Sequence, residues 1–303
     1  MKRKLLKKGK VKEVYDLGDD KLEFMFTDQI SVFDKVIPTE VPNKGETLCR
    51  TSGHWFEVAK SMDINTHFQG IAGPNLMHVK KVNVISDYAK LTPTMTNYLI
   101  PLEFICRHYV AGSLMDRLKK KDVKPEQVGF LEGHDPVYGE KLPEPFFETT
   151  TKLEAFDRKL SIDEAMEIAG LTREELQEIK DTVLRLDDRI GQEVRKRGLI
   201  HVDGKKEFAF DSDRNLMLID TFGTADEDRF WDAENYEQGK FVEMSKEFVR
   251  QHYRSTSYLE RLEEARKKNN AEPDIPPLSE DITKQVSELY IDLFERLTGE
   301  RFR

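Results

Sequence analysis

The segment at 203–220, DGKKEFAFDSDRNLMLID, constrains the fold most. Apolar and polar residues alternate on both sides of a polar loop, which predicts a β-hairpin with one buried face. Phe208 and Phe210 precede the loop at 212–215, and Met217 and Ile219 follow it. With a four-residue loop Asp211 pairs with Leu216, and stepping outward along both strands places Glu207 opposite Asp220. Like charges facing each other across a ladder weaken it. A cation between them would reverse that effect, because hard ions such as magnesium take oxygen ligands and usually need only one or two protein carboxylates. The hairpin alone leaves both readings open.

At 303 residues the chain can bury a sizeable core, and two lobes are expected. A hydrophobic content of 38% with 18 Phe argues against extended disorder. The net charge of -9 works against nucleic-acid binding by the whole surface. No apolar run approaches the ~18 residues of a membrane span, so neither nucleic acid nor membrane is an expected partner. Cys49 and Cys106 form neither a disulfide framework nor a zinc-ligand pattern, and the basic start lacks the apolar core of a secretory signal. A cytoplasmic location is therefore expected. The opening MKRKLLKKGK reads either as a solvated tail or as a phosphate-binding arm.

The first hundred residues alternate short apolar runs with turns, as at Gly18-Asp19-Asp20, and are expected to be strand-rich. EGHDPVYGEKLPEP reads as a long surface excursion. Helix signals follow Lys159: Ser161 with Glu164 caps one helix that Gly170 closes, and Thr172 with Glu175 caps the next. Leu176, Ile179, Val183, Leu186, Ile190 and Val194 keep helical spacing up to a stop at Gly198 and are assigned to core packing without chemistry. A connector at 269–281 precedes a terminal amphipathic helix with Val286, Leu289, Leu293 and Leu297.

Several short stretches have the composition of ligand sites. Gly9 lies among lysines, and alternation sets Lys10 and Lys12 on one face of a predicted strand, where they could meet phosphates; ordinary surface lysines fit as well. Asp28, Ser31, Asp34, Lys44 and Gly45 mix polar groups in loops. Arg107 precedes Gly112 and Ser113 at a predicted helix start, where amides and a guanidinium can hold an anion, or simply form a cap and a surface ion pair.

In combination and order, GKVKEVYDL, TDQISVFD, PNKG, IPLEFICRHYVAGS, PEPFFETTTK, HVDGKKEF and LIDTFGTADEDRFW resemble the phosphoribosylaminoimidazole-succinocarboxamide synthases, or SAICAR synthetases, over most of the chain, with variants closest to the archaeal branch. The resemblance implies a two-lobed α/β (α+β) fold, with a strand-rich nucleotide lobe at 1–103 and a mixed substrate and metal lobe at 104–303. It implies ATP in the cleft and Mg2+ beside the phosphates, held by Glu207 and Asp220. Lys205 and Asp203 would line the same site as catalytic groups. Gly9, Lys10, Val11 and Lys12 would face the nucleotide phosphates, and Tyr98, Ile100 and Glu103 would form the hinge against adenine. Arg107, Gly112, Ser113 and Arg229 would hold the phosphorylated carboxyaminoimidazole ribonucleotide, with Asp34, Lys44 and Lys152 nearby and Asp157 in the amino-acid segment. Thr221, Asp228 and Arg158 depart from the commoner pattern, which has a second acid, a serine and a histidine there.

The reaction implied joins the ribonucleotide carboxylate to the amine of L-aspartate at the expense of ATP, through an acyl phosphate, because a carboxylate is itself a poor electrophile. The expected partners are these small molecules, and a homo-oligomer stays open. A divergent carboxylate–amine ligase and a non-enzymatic nucleotide-binding regulator are the alternatives. Release of ADP that requires both substrates separates the three.

Overall fold

A computed structural model describes residues 3–154 and 158–303. The first part of the chain runs β1 (Lys4–Lys8), β2 (Lys12–Gly18), β3 (Lys21–Phe26), β4 (Gln29–Val32), β5 (Lys35–Glu40), α1 (Lys44–Ser61), β6 (Phe68–Gly73), β7 (Leu76–Lys80) and β8 (Tyr98–Leu99). Next come β9 (Leu102–Tyr109), α2 (Gly112–Lys120), β10 (Lys141–Thr151), α3 (Ile162–Ala169), α4 (Arg173–Arg195), β11 (Leu199–Phe210), β12 (Leu216–Ile219) and β13 (Asp228–Asp232). The chain ends in α5 (Ala233–Glu237), α6 (Glu247–Ser255), α7 (Tyr258–Lys267) and α8 (Glu280–Thr298). The architecture is mixed α/β, as expected.

An antiparallel sheet of order β1-β2-β3-β7-β6 shows the period-two pattern of a half-covered sheet. Val14, Leu22, Phe24 and Phe26 turn inward, while the other face carries Glu13, Tyr15 and Glu23, with Arg3 paired to Glu23 at 2.7 Å. The basic start is therefore not a solvated tail: β1 pairs with β2 as an edge strand. Lys10 and Lys12 do not share one strand face either, because β2 begins at Lys12 and Gly9–Val11 form the preceding turn. Gly9 donates its amide to the Lys12 carbonyl at 2.8 Å, and a Cβ on Gly9 would stand 2.8 Å from that oxygen.

A second sheet runs β10-β9-β11-β12, with β13 and β8 also on β11. The hairpin loop is one residue longer than the alternation predicts: Phe210 pairs with Leu216 and Glu207 with Ile219. Asp211 bonds across the loop instead, accepting from the amides of Asp213 and Asn215, a side-chain turn that competes with the ladder. Asp220 lies just past the strand at φ 62. The Gly- and Pro-rich excursion is shorter than expected, since β10 already includes Lys141–Pro145.

Both helix caps form as read, with Ser161 accepting from the Glu164 amide and Thr172 from Glu175. The α4 stripe is fully buried at Ile179, Val183, Leu186 and Ile190, roughly 1.5–3 kcal/mol per side chain. The same face also buries a charge, Asp187, which the apolar spacing did not reveal. α8 packs along α1 and ties the two ends of the chain together, with Ser287 donating to the Pro42 carbonyl at 2.6 Å. Among the described residues no helix is long and apolar enough to cross a membrane.

Candidate active site

The inner face of the first sheet and the β11–β12 hairpin enclose a cavity of about 520 Å³. One end is apolar, with Val14, Leu22, Val82 and Leu99; the other carries Gly9, Lys10, Lys12, Lys152 and Asp220. Lys12 reaches across from β2 to the carboxylate of Asp220, its ammonium 4.3 Å from the centre of the Phe24 ring. The apolar end lies at the strand that sequence reasoning chose, but on the opposite side chains. Tyr98 and Ile100 are fully buried in the core, the Tyr98 hydroxyl donating to the Ala169 carbonyl at 2.8 Å, whereas Leu99 between them lines the cavity. Strand parity distinguishes the two sets, since successive side chains leave a strand on opposite faces. Glu103 turns to Lys205, at 2.7 Å, instead of the apolar end. Lys81 and Val82, absent from the sequence-based set, complete that end.

A second cavity of about 420 Å³ lies over the front of the second sheet. The pairing of Asp203 with both Arg107 and Arg229 puts these three on one face. Each of the three guanidinium nitrogens of Arg107 donates one bond: Nε to Glu148 at 2.8 Å, Nη1 to Asp203 at 3.0 Å and Nη2 to the Ser113 hydroxyl at 3.1 Å. Ser113 sits in the first turn of α2, where free amides and the helix dipole favour an anion. Gly112, at φ 51, is required there because a Cβ would lie 2.6 Å from Arg229 Nη2. Arg250 and Arg254, not anticipated from sequence, enter from α6.

Between the cavities stands a group of acids and lysines. Lys152 contacts Glu207 and lies 3.7 Å from Asp220 Oδ2, while Lys205 lies 2.7 Å from Glu103, 3.4 Å from Glu207 and 3.2 Å from Glu227. Glu207 and Asp220 thus converge on one ammonium although they are not ladder partners. Burial pushes the Glu207 carboxyl above the usual carboxylate range, against the pull of Lys152. Burial acts on Asp220 in the same direction, but Lys12 and Lys152 outweigh it and hold the group below that range. Burial also disfavours the charge on Lys205, yet Glu227, Glu207 and Glu103 raise it well above the ordinary lysine value.

A bulge between His201 and Asp203 gives the back of this sheet its own chemistry. It turns His201 to the face of Lys206, while Asp203, Lys205 and Glu207 point forward. On the back, the Lys206 ammonium contacts Asp187 of α4 and lies 3.1 Å from Asp228, whose Oδ2 is 2.7 Å from His201 Nε2. The Asp228 carboxylate is fully covered. This residue therefore borders the second cavity without presenting its side chain to it.

Other sequence-based candidates fall outside the cavities. Lys44 is completely buried, 3.0 Å from Asp226, and Asp34 is an exposed partner of Lys10 at 2.6 Å. Arg158 is held at the surface by Glu154 and Glu164. Asp157 lies outside the described residues. A wider groove of about 1140 Å³ beside α4 contains none of the candidates.

A model of the SAICAR synthetase family matches residues 5–265. A phosphoribosylaminoimidazole-succinocarboxamide synthase of Thermoplasma acidophilum is 56% identical over 299 residues, covering 99% of this chain and 100% of that one. The SAICAR synthase of Saccharomyces cerevisiae, solved with SAICAR, shares the fold with a TM-score of 0.77 at 24% identity, covering 99% of this chain and 96% of that one. A SAICAR synthetase solved with ADP aligns with a TM-score of 0.70 at 25% identity, over 98% and 99% of the two chains.

Proposed function

Because the chain belongs to the SAICAR synthetase family, we propose that its two cavities carry the two halves of one ligation. The protein is an ATP-dependent carbon–nitrogen ligase of de novo purine biosynthesis. It joins L-aspartate to the carboxylate of 5-amino-1-(5-phosphoribosyl)imidazole-4-carboxylate, giving SAICAR, ADP and phosphate. The observation that carries this assignment of cavities is that they meet: Asp226 and Glu227 line both. A phosphoryl group leaving a nucleotide in one cavity can reach an acceptor in the other without entering bulk water.

The position of each residue supports a role for it in this reading. The apolar end at Val82 and Leu99 takes adenine, and Gly9, Lys10, Val11 and Lys12 face the phosphates. Arg107, Ser113, Gly112 and Arg229 hold the substrate phosphate, with Asp203 fixing both guanidiniums. Lys205, charged between three acids, neutralises the acceptor carboxylate as it attacks phosphorus. Attack by that oxygen yields the acyl phosphate, which the amine of aspartate displaces.

Glu207 and Asp220 fit a magnesium site. Both offer hard oxygen donors, and Glu207 Oε2 is buried without a hydrogen-bond donor, facing the Lys152 ammonium in an ion pair. Bound there, the ion would neutralise charge on the nucleotide phosphates. The division at 1–103 and 104–303 keeps the whole first sheet in one lobe, although the cut falls within β9. We place the enzyme in the cytoplasm, where the buried free thiols of Cys49 and Cys106 stay reduced.

The test is ADP release by the purified full chain. It requires the ribonucleotide and L-aspartate together; release without either, or with a different carboxylate–amine pair, overturns the assignment.

A further inference from the structure

The ligation leaves a proton to be placed, because aspartate arrives as an ammonium that has no lone pair to attack with. An acceptor must stand where the acyl phosphate forms, at the junction of the two cavities, and must have a carboxylate free to meet substrate.

The acids around the second cavity are mostly committed. Asp203 lies between two arginines, and Glu247 accepts from Arg250 at 3.1 Å and Arg229 at 3.4 Å. Asp228 is turned to the back of the sheet, and the Asp226 side chain is 5% exposed behind Lys44 and Lys246. Asp116 borders only the ribonucleotide side, one turn into α2. Glu227 differs on each count. It lines both cavities, its side chain is 24% exposed, and its contacts are a Lys205 ammonium at 3.2 Å and a Thr221 hydroxyl at 3.4 Å. Lys205 also has Glu103 and Glu207 as partners, so Glu227 can leave it without stranding a buried charge.

We propose that Glu227 is the general base that takes the proton of the aspartate amine. The inference rests on the ligase reading above. The ammonium gives one proton to a Glu227 oxygen, and the freed lone pair forms the C–N bond at the acyl carbon. The bond from that carbon to the phosphate oxygen breaks, its electron pair leaving with phosphate, which carries off the second amine proton as hydrogen phosphate. The charged and titratable groups facing Glu227 are Lys205 from β11, Lys246 ahead of α6, Tyr290 from α8 and its neighbour Asp226.

Glu227→Gln in the full chain tests this, with Glu227→Asp alongside. Turnover with aspartate falls at least ~100-fold at pH 7 in the glutamine variant, the scale of one general base. That residual rate climbs about tenfold per pH unit between pH 7 and 9, as free amine replaces ammonium in solution, while the wild type stays nearly flat. The Michaelis constants for ATP and the ribonucleotide hold within about twofold, as does the affinity of Mn2+ in the presence of ADP. Glu227→Asp retains part of the rate and the flat wild-type pH dependence. Parallel pH profiles for the wild type and Glu227→Gln overturn the proposal, as does loss of Mn2+ affinity, which would make Glu227 a metal ligand. If Glu227→Gln does not fold, the aspartate variant decides: undiminished turnover overturns it. A wild type that releases no ADP with both substrates sinks the ligase reading itself, a result distinct from any of these.

Discussion

Glu207 and Asp220 show how two like groups diverge under different neighbours. Burial dominates at Glu207 and raises its carboxyl, while Lys12 and Lys152 dominate at Asp220 and keep it ionised. Glu207→Gln and Asp220→Asn each remove a negative charge with little change of size. In Glu207→Gln a buried acid disappears from beside another, and although Lys152 and Lys205 lose a partner, Lys152 keeps Asp220 and Lys205 keeps Glu103 and Glu227, so the fold gives up little. Asp220→Asn leaves Lys12 and Lys152 short of one counter-charge and is the more destabilising of the two. Both variants should require a higher magnesium concentration for half-maximal turnover and lose at least ~10-fold of their rate, while their thermal unfolding transitions remain cooperative. Normal activity across a magnesium titration in both variants would refute the paired-acid site.

At the scale of elements, edge strand β1 gives the first test. The ion pair across the cleft belongs to Lys12, the first residue of β2, whereas β1 is exposed along its whole length. Lys12→Met keeps most of the apolar stem over Phe24 and removes the charge, so ATP-dependent turnover should fall steeply with modest loss of stability. Deleting residues 1–6 removes part of β1 and should cost turnover little. The reverse order of effects would place the function in the N-terminal strand. The buried charge layer behind β11 predicts more. Lys206→Met strands the Asp187 and Asp228 carboxylates inside the protein and should cost about 3–5 kcal/mol at pH 7. Burial pushes Asp187 up, but in the wild type Lys206 outweighs it and holds the group well below the carboxylate range, so its stabilisation is present above the unfolded value near ~4 and is lost as the pH falls through the folded one. Without Lys206 only His201 and His108 oppose burial, so the Asp187 carboxyl is held down less and the native variant takes up a proton more readily. The gap in unfolding free energy between the two proteins should therefore shrink as the pH is lowered from 7 toward 5, measured by urea denaturation.

These elements also show where sequence was legible. Caps and the α4 stripe were readable because both are local: Thr172 and Glu175 satisfy each other within one turn. The hairpin was readable as a hairpin, but its register was not, since the choice between a four- and a five-residue loop rests on where the Asp211 side chain bonds. Tyr98 and Ile100 were read as hinge residues, yet their side chains turn to the core while Leu99 between them turns to the cavity, a parity that only neighbouring strands fix. Lys44, Asp187 and Lys206 were hidden more deeply. Charged residues read as surface residues until a partner from a distant segment is known, and their partners lie far off in sequence.

On the scale of the whole molecule, that same long-range pairing anchors the junction of the cavities. Asp226 sits in the loop between β12 and β13, yet Lys44 reaches it from α1 at 3.0 Å, Lys246 from the start of α6 at 3.5 Å, and the Tyr290 hydroxyl from α8 at 2.6 Å. Three segments spread along the chain therefore fix one loop, and that loop presents Glu227 to both ligand sites. Burial raises the Asp226 carboxyl, but Lys246 and Lys44 hold it below the carboxylate range, so it stays ionised and in need of donors. Tyr290→Phe removes one donor and little volume. It should cost about 1–3 kcal/mol of stability, the scale of leaving a buried acceptor unsatisfied. The more specific expectation concerns ligands. Arg107 touches only the second cavity, so Arg107→Lys should raise the Michaelis constant for the ribonucleotide and leave that for ATP alone. Tyr290→Phe, acting on a loop common to both, should raise the two constants together, although α8 contributes no side chain to either cavity. Steady-state kinetics with each substrate varied in turn would decide. A Tyr290→Phe enzyme with only one constant displaced would mean that the loop is anchored separately on its two sides, and that the cavities meet without sharing a support.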